Sequence, residues 1–97
     1  MRVEQTSEYR DWIDALKDRA GRARILVRVD QLIHGNPGQH KDLAAGVSEL
    51  KVDFRPGYRS YYTQRGTRLV HLLAGGDKST QQKDIARAIA LVNNFQE

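Results

Sequence analysis

The chain has 97 residues, 39% of them hydrophobic and 29% charged, a formal net charge of +4 and no cysteine. That length suits one compact soluble domain over residues 1–97 with a core of its own. The absence of cysteine excludes disulfides and thiolate metal sites, and no apolar run is long enough to span a bilayer. Met1 leads into a polar segment rather than a signal peptide, so the cytoplasm is the expected compartment. The sequence pI is about 9.7, and the segment from Lys41 to Lys83 alone carries a net +4. Such a basic stretch suits a polyanion, either nucleic acid or an acidic protein; a solvated basic surface is the plain alternative.

In chain order, Arg2 to Gln5 reads as a short edge strand. Thr6 or Ser7 can cap a first helix, with Glu8 and Asp11 in its opening turn and Tyr9, Ile13 and Leu16 at helical spacing beside Trp12. Gly21 is expected to break it. A second helix follows with Ile25, Val29, Leu32 and Ile33 on one stripe, stopped by Gly35-Asn36-Pro37-Gly38. The short break predicts an antiparallel helical pair. Residues Gln39 to Gly46 read as polar loop. From Ser48 the period becomes two, with Leu50, Val52 and Phe54 alternating with Glu49, Lys51 and Asp53.

Arg55-Pro56-Gly57 turns the chain into a strand from Tyr58 to Thr63, and Gln64-Arg65-Gly66-Thr67 turns it again. The run from Leu69 is a buried strand that Gly75 and Gly76 are expected to end. Ser79 and Gln82 form a capping-box pattern, so a last helix is expected from Ser79, with Lys78 beside its anion-attracting N–H groups. Its stripe is Ile85, Ala88, Ile89, Val92 and Phe95. The expected fold is α+β, in the order β-α-α-β-β-β-α. Its antiparallel sheet packs against an N-terminal helical hairpin, and a C-terminal helix follows.

Strand alternation sends Glu49 and Lys51 to the face opposite Leu50 and Val52, and Arg59, Tyr61 and Thr63 to the face opposite Tyr58, Ser60 and Tyr62. An open face holding Lys51, Arg59 and Tyr61 results, with Arg55 at its rim and Lys78 at one end. Cations hold phosphates and a tyrosine ring stacks on a base. The plainer reading pairs Lys51 and Arg59 with Glu49 or Asp53 across strands, and makes the tyrosines core. His71 sits in an apolar run, as a core or edge residue. His34 and His40 lack a carboxylate at metal spacing, so no metal and no cofactor are implied. Gly75-Gly76-Asp77-Lys78-Ser79 has the look of a phosphate-binding loop, but Asp77 stands where that motif needs glycine, which argues against a nucleoside triphosphatase.

Glu49-Leu50-Lys51, Pro56-Gly57-Tyr58-Arg59-Ser60-Tyr61-Tyr62, and Leu72 to Gln81 running into Asp84-Ile85, taken in this element order, resemble the RelE/ParE toxin superfamily. They are most similar to its HigB-like, phage-derived branch of addiction-module killer proteins. The likeness spans nearly the whole chain and includes Trp12, Arg24-Ile25 and Gly35-Asn36. It implies a toxin that cleaves messenger RNA in the translating ribosome and is neutralised by a helix-turn-helix antitoxin. The toxin would reach operator DNA only within the toxin–antitoxin complex.

By this resemblance the catalytic candidates are Arg59, Lys51, Lys78 and Tyr61, and the RNA-binding candidates are Arg55, Lys51, Lys78 and Lys83. RelE-type nucleases carry a tyrosine near the start of the last helix, where this chain has Gln81, Gln82 and Lys83. Tyr61 or His71 would have to replace it, or cations act alone. Two other expectations are a ParE-like, non-catalytic gyrase poison and a degenerate toxin serving only as antitoxin-binding co-repressor.

Overall fold

The computed structural model describes residues 1–94. Five strands and three helices follow in the order β1 (Arg2–Gln5), α1 (Ser7–Ala15), α2 (Arg19–Ile33), β2 (His40–Asp42), β3 (Val47–Val52), β4 (Tyr58–Arg65), β5 (Leu69–Asp77) and α3 (Gln81–Asn93). The strands form one sheet in the order β1-β5-β4-β3-β2. It is mixed rather than antiparallel, because β1 runs parallel to β5 while the other pairs are antiparallel. The physical reason is the long connection: a strand placed beside a parallel neighbour needs a crossover, and everything from α1 to β4 supplies it.

Helix α1 begins where Thr6 caps it, its Oγ1 accepting from the Tyr9 amide at 3.0 Å while donating to the Leu73 carbonyl at 2.6 Å. Cap and sheet are thereby joined. The break between helices falls at Leu16 to Asp18, not at Gly21. Asp18 caps α2 through the Gly21 amide at 3.0 Å and accepts the Tyr58 hydroxyl at 2.7 Å. Gly21 lies inside the first turn because a Cβ there would overlap Asp18 and the Tyr58 ring. It is a packing residue. Helix α1 lies on β5, and α2 on β3 and β4.

The segment read as loop contains strand β2. It has no apolar residue, but its backbone pairs with Ser48–Leu50 of β3. Arg28 of α2 pins the approach to it, donating to the carbonyls of Pro37 (2.9 Å), Gln39 (3.0 Å) and Lys51 (3.3 Å). Strand β5 runs through Gly75 and Gly76 to Asp77 instead of ending at the glycines. Both are needed for close approach: a Cβ on Gly75 would enter the Trp12 ring on one face, and a Cβ on Gly76 would meet Asp84 and Thr80 on the other.

Hydrophobic side chains bury on both sheet faces. Between one face and α1 and α2 pack Tyr9, Ile13, Ile25 and Leu32 of the helices with Leu50, Val52, Tyr58, Tyr62 and Leu72 of the sheet. Between the other face and α3 pack Ala88 and Val92 of the helix with Val47, Tyr61, Leu73 and Ala74 of the sheet. Strand alternation divides the two sets, and a β-bulge adjusts it on β5: Tyr61 opposes Ala74 and Tyr62 opposes Leu72, so Leu73 is extra and joins Ala74 on the α3 side. All three tyrosines of β4 are therefore core, as are Ala88 and Val92 of the last stripe; Phe95 lies outside the described residues.

Candidate functional site: a basic hollow beside the last helix

Register places Lys51 opposite Arg59, and Glu49 opposite Tyr61. Helix α3 crosses this face but covers only part of it. Tyr61, expected in the open, is completely buried beneath α3. Its burial first, then the nearby carboxylates of Glu49 and Asp84, push its phenol well above the usual tyrosine range. A phenol held neutral under a helix neither stacks on a base nor accepts a proton. Tyr61 is structural.

At the Lys51 end α3 leaves the sheet uncovered. There Lys51, Asp53, Arg55, Arg59 and Lys78 line a hollow of about 190 Å³ with the Pro56-Gly57 turn. A second hollow of about 340 Å³ adjoins it, lined by Lys41, Glu49, Lys51, Arg59 and Gln81. Lys51 and Arg59 border both. Four of the sequence candidates, Lys51, Arg55, Arg59 and Lys78, thus share one hollow. Lys83 does not line either hollow; it stands exposed on α3. His71 lies opposite Thr63 on β5 and lines neither one. Its burial lowers its pKa, a trend Glu4 opposes.

Arg59 is not a solvent-swept cation. It is 6% exposed, its Nε lies 3.0 Å from Glu49 Oε1, and its Nη1 donates to the Gly57 carbonyl at 3.1 Å. Glu49 is also 6% exposed, and its Oε1 accepts from Gln81 Nε2 at 2.9 Å. So the plainer reading of Arg59, pairing with Glu49, is what the chain adopts. The pair is diagonal across β3 and β4, and Gln81 at the start of α3 locks it. Lys51, Arg55 and Lys78 are more accessible than Arg59, with Arg55 and Lys78 exposed.

The turn into α3 differs from the expected anion site. Lys78–Thr80 form a 3₁₀ turn whose cap is Asp77, with Oδ1 accepting the Ser79 amide at 2.8 Å and the Ser79 hydroxyl at 2.5 Å. These bonds, the hydroxyl's first, hold the Asp77 carboxyl below the usual carboxylate range. Ser79 and Gln82 do not form a capping box, and α3 starts at Gln81. The chain's own carboxylate thus serves the turn ahead of α3, while Thr80 at the start of α3 makes no side-chain capping bond; Lys78 is the exposed cation beside it. Among the described residues no His, Asp and Glu cluster has metal-binding proximity, and no helix is long and apolar enough to cross a membrane.

The sequence reading missed three members of the site. In the sequence Glu49 reads only as a surface partner, Gln81 only as standing where a tyrosine is missing, and Lys41 only as loop charge. Lys41 had no detectable signal, because its placement follows from β2 pairing with β3.

The fold and this hollow define a small α+β protein with a cationic recess between sheet and terminal helix. No family model matches the chain. It is 40% identical over 95 residues to an uncharacterized protein of Haemophilus influenzae, covering 98% of this chain and 96% of that relative. The chain belongs to one family with that protein.

Proposed function

We propose that the protein is a RelE/HigB-like toxin of a type II toxin–antitoxin system, an endoribonuclease acting on messenger RNA in the ribosome. The observation that carries this reading is the gathering of Lys51, Arg55, Arg59 and Lys78 around one recess. Cleavage by attack of a ribose 2′-OH on the adjacent phosphate needs cations where charge develops and a group to take the proton. Arg59, which borders both hollows, stabilises the phosphorane, while Lys51 and Lys78 hold flanking phosphates. With Tyr61 buried, the carboxylates placed to accept the proton are Asp53, which lines this recess, and Glu49, beside Arg59 in the adjoining hollow. A site without a phenol gains from a ribosome that presents the RNA already bent, since positioning is worth about 7–11 kcal/mol. A helix-turn-helix antitoxin would silence it by covering the basic recess.

Primer extension on cellular messages after induction tests this. New 5′ ends within codons are expected from wild type and a loss of them from Lys51→Ala and Lys78→Ala, whose accessible side chains leave the core intact. Growth arrest with intact messages and DNA breaks would replace this reading with a gyrase poison. No arrest at all would leave a co-repressor, the reading favoured by Arg59 being tied to Glu49 and by the absence of a phenol from the recess.

A further inference from the structure

The edge of the sheet opposite the recess is chemically self-complementary. Strand β1 closes the sheet on that side, and all four of its residues are exposed. In its parallel ladder with β5, the Arg2 amide bonds to the Arg68 carbonyl and the Thr6 amide to Leu72. Since backbone groups alternate in direction along a strand, Arg2 and Glu4 turn theirs toward β5, and Val3 and Gln5 turn their N–H and C=O groups outward. The side chains also divide. Val3 lies on the same face as the Leu26 and Ile13 hollow, of about 250 Å³, that borders β1. Arg2 and Glu4 point to the other face and touch at 3.4 Å. Val3 and Leu26, at 42% and 50% exposure, are two of the most exposed large hydrophobic residues, and both belong to this hollow.

We propose that β1 is a dimerisation edge whose occupant is a second copy of this chain, paired antiparallel about a two-fold axis through Val3. Val3 then exchanges both outward hydrogen bonds with its counterpart. In the adjoining register, Arg2 of each copy faces Glu4 of the other, at the close spacing of a non-hydrogen-bonded pair. Two charges on each side meet their opposites, and the exposed valines meet each other over the apolar hollow. A closed two-fold pair uses up this free edge, which otherwise invites open-ended association. The two sheets would join into one continuous ten-stranded sheet, as twice the five strands of each copy, with the basic recesses far from the seam.

Sedimentation velocity across a concentration series tests this with the full chain. Wild type is expected to show a reversible monomer–dimer transition. Arg2→Glu and Glu4→Arg, each placing like charges across the seam, are expected to shift that transition to higher concentration. An equimolar mixture of the two variants restores it as a heterodimer, because one strand then carries two acids and its partner two bases. An interaction within one chain is not rescued by mixing, so this arm separates the seam from the internal Arg2–Glu4 contact. Circular dichroism checks that both variants fold, as expected for exposed sites. A wild type that stays monomeric throughout, or a dimer indifferent to both variants and to mixing, overturns the proposal.

Discussion

Replacing Gly75 by alanine should destabilise the protein through a single contact, the methyl against Trp12. The indole cannot easily retreat: it stands edge-on between Tyr9, 5.5 Å away between centroids, and Tyr58, 6.4 Å away. Forcing an extra methyl into such packing costs about 1–3 kcal/mol. Stiffening the unfolded chain by the same change offsets about 0.4–1 kcal/mol. A net loss of about 1–2 kcal/mol remains, and at this chain length each kcal/mol moves Tm by about 4–8 °C. The assay is urea and thermal unfolding of Gly75→Ala, Trp12→Leu and the double variant. Trp12→Leu alone loses ring burial, but in the double variant the alanine fills space the ring vacated. The two effects should therefore fall short of additivity by about 1–2 kcal/mol, well beyond the ~0.5 kcal/mol of independent sites. Strict additivity, or an unperturbed Gly75→Ala, would refute the close-approach account. Glycines that instead cradled an anion would lose ligand on substitution while stability stayed put.

Two further outcomes follow from the buried polar groups. Glu49→Ala strands the Arg59 charge in a 6%-exposed position, and is expected to cost about 3 kcal/mol in urea unfolding, at the lower end for a broken buried pair since the recess admits water; a loss under ~0.5 kcal/mol would mean Arg59 is solvated without it. Burial pushes the Tyr9 phenol up to about 12, with its Ser60 hydrogen bond opposing, so the folded state keeps its proton where the unfolded chain, titrating near 10, gives it up. That contribution is fully present below pH 10 and disappears as pH rises through about 12, on the order of 3 kcal/mol, and Tyr9→Phe should flatten the alkaline limb of a stability–pH series.

Much of the fold was readable because local pattern carried it. Period-two alternation in Glu49 to Val52 placed Lys51 away from the core, and β3, β4 and β5 lie in consecutive antiparallel order as read. The candidate site was readable in part. Lys51, Arg55, Arg59 and Lys78 share a recess because Lys51 and Arg59 follow from strand register, Arg55 from the turn joining β3 to β4, and Lys78 from the turn that ends β5. Tyr61 was misplaced because alternation assigns a face but not what covers it, and helix α3 covers that stretch. The bulge at Leu73 was equally invisible, since an extra residue inside an apolar run leaves the run apolar.

The boundary between the two kinds of information lies at sequence distance. Composition, a helix cap such as Thr6, and the alternation within each strand are local, so the order of side chains along the polymer is enough to specify them. Pairings across the chain are not: β1 beside β5, β2 beside β3, Gln81 on Glu49, and Trp12 and Asp84 pressed on opposite faces of the paired glycines. Each is selected by burial and hydrogen bonding between separate elements, several of them tens of residues apart, energies that exist only once the layers have closed on one another.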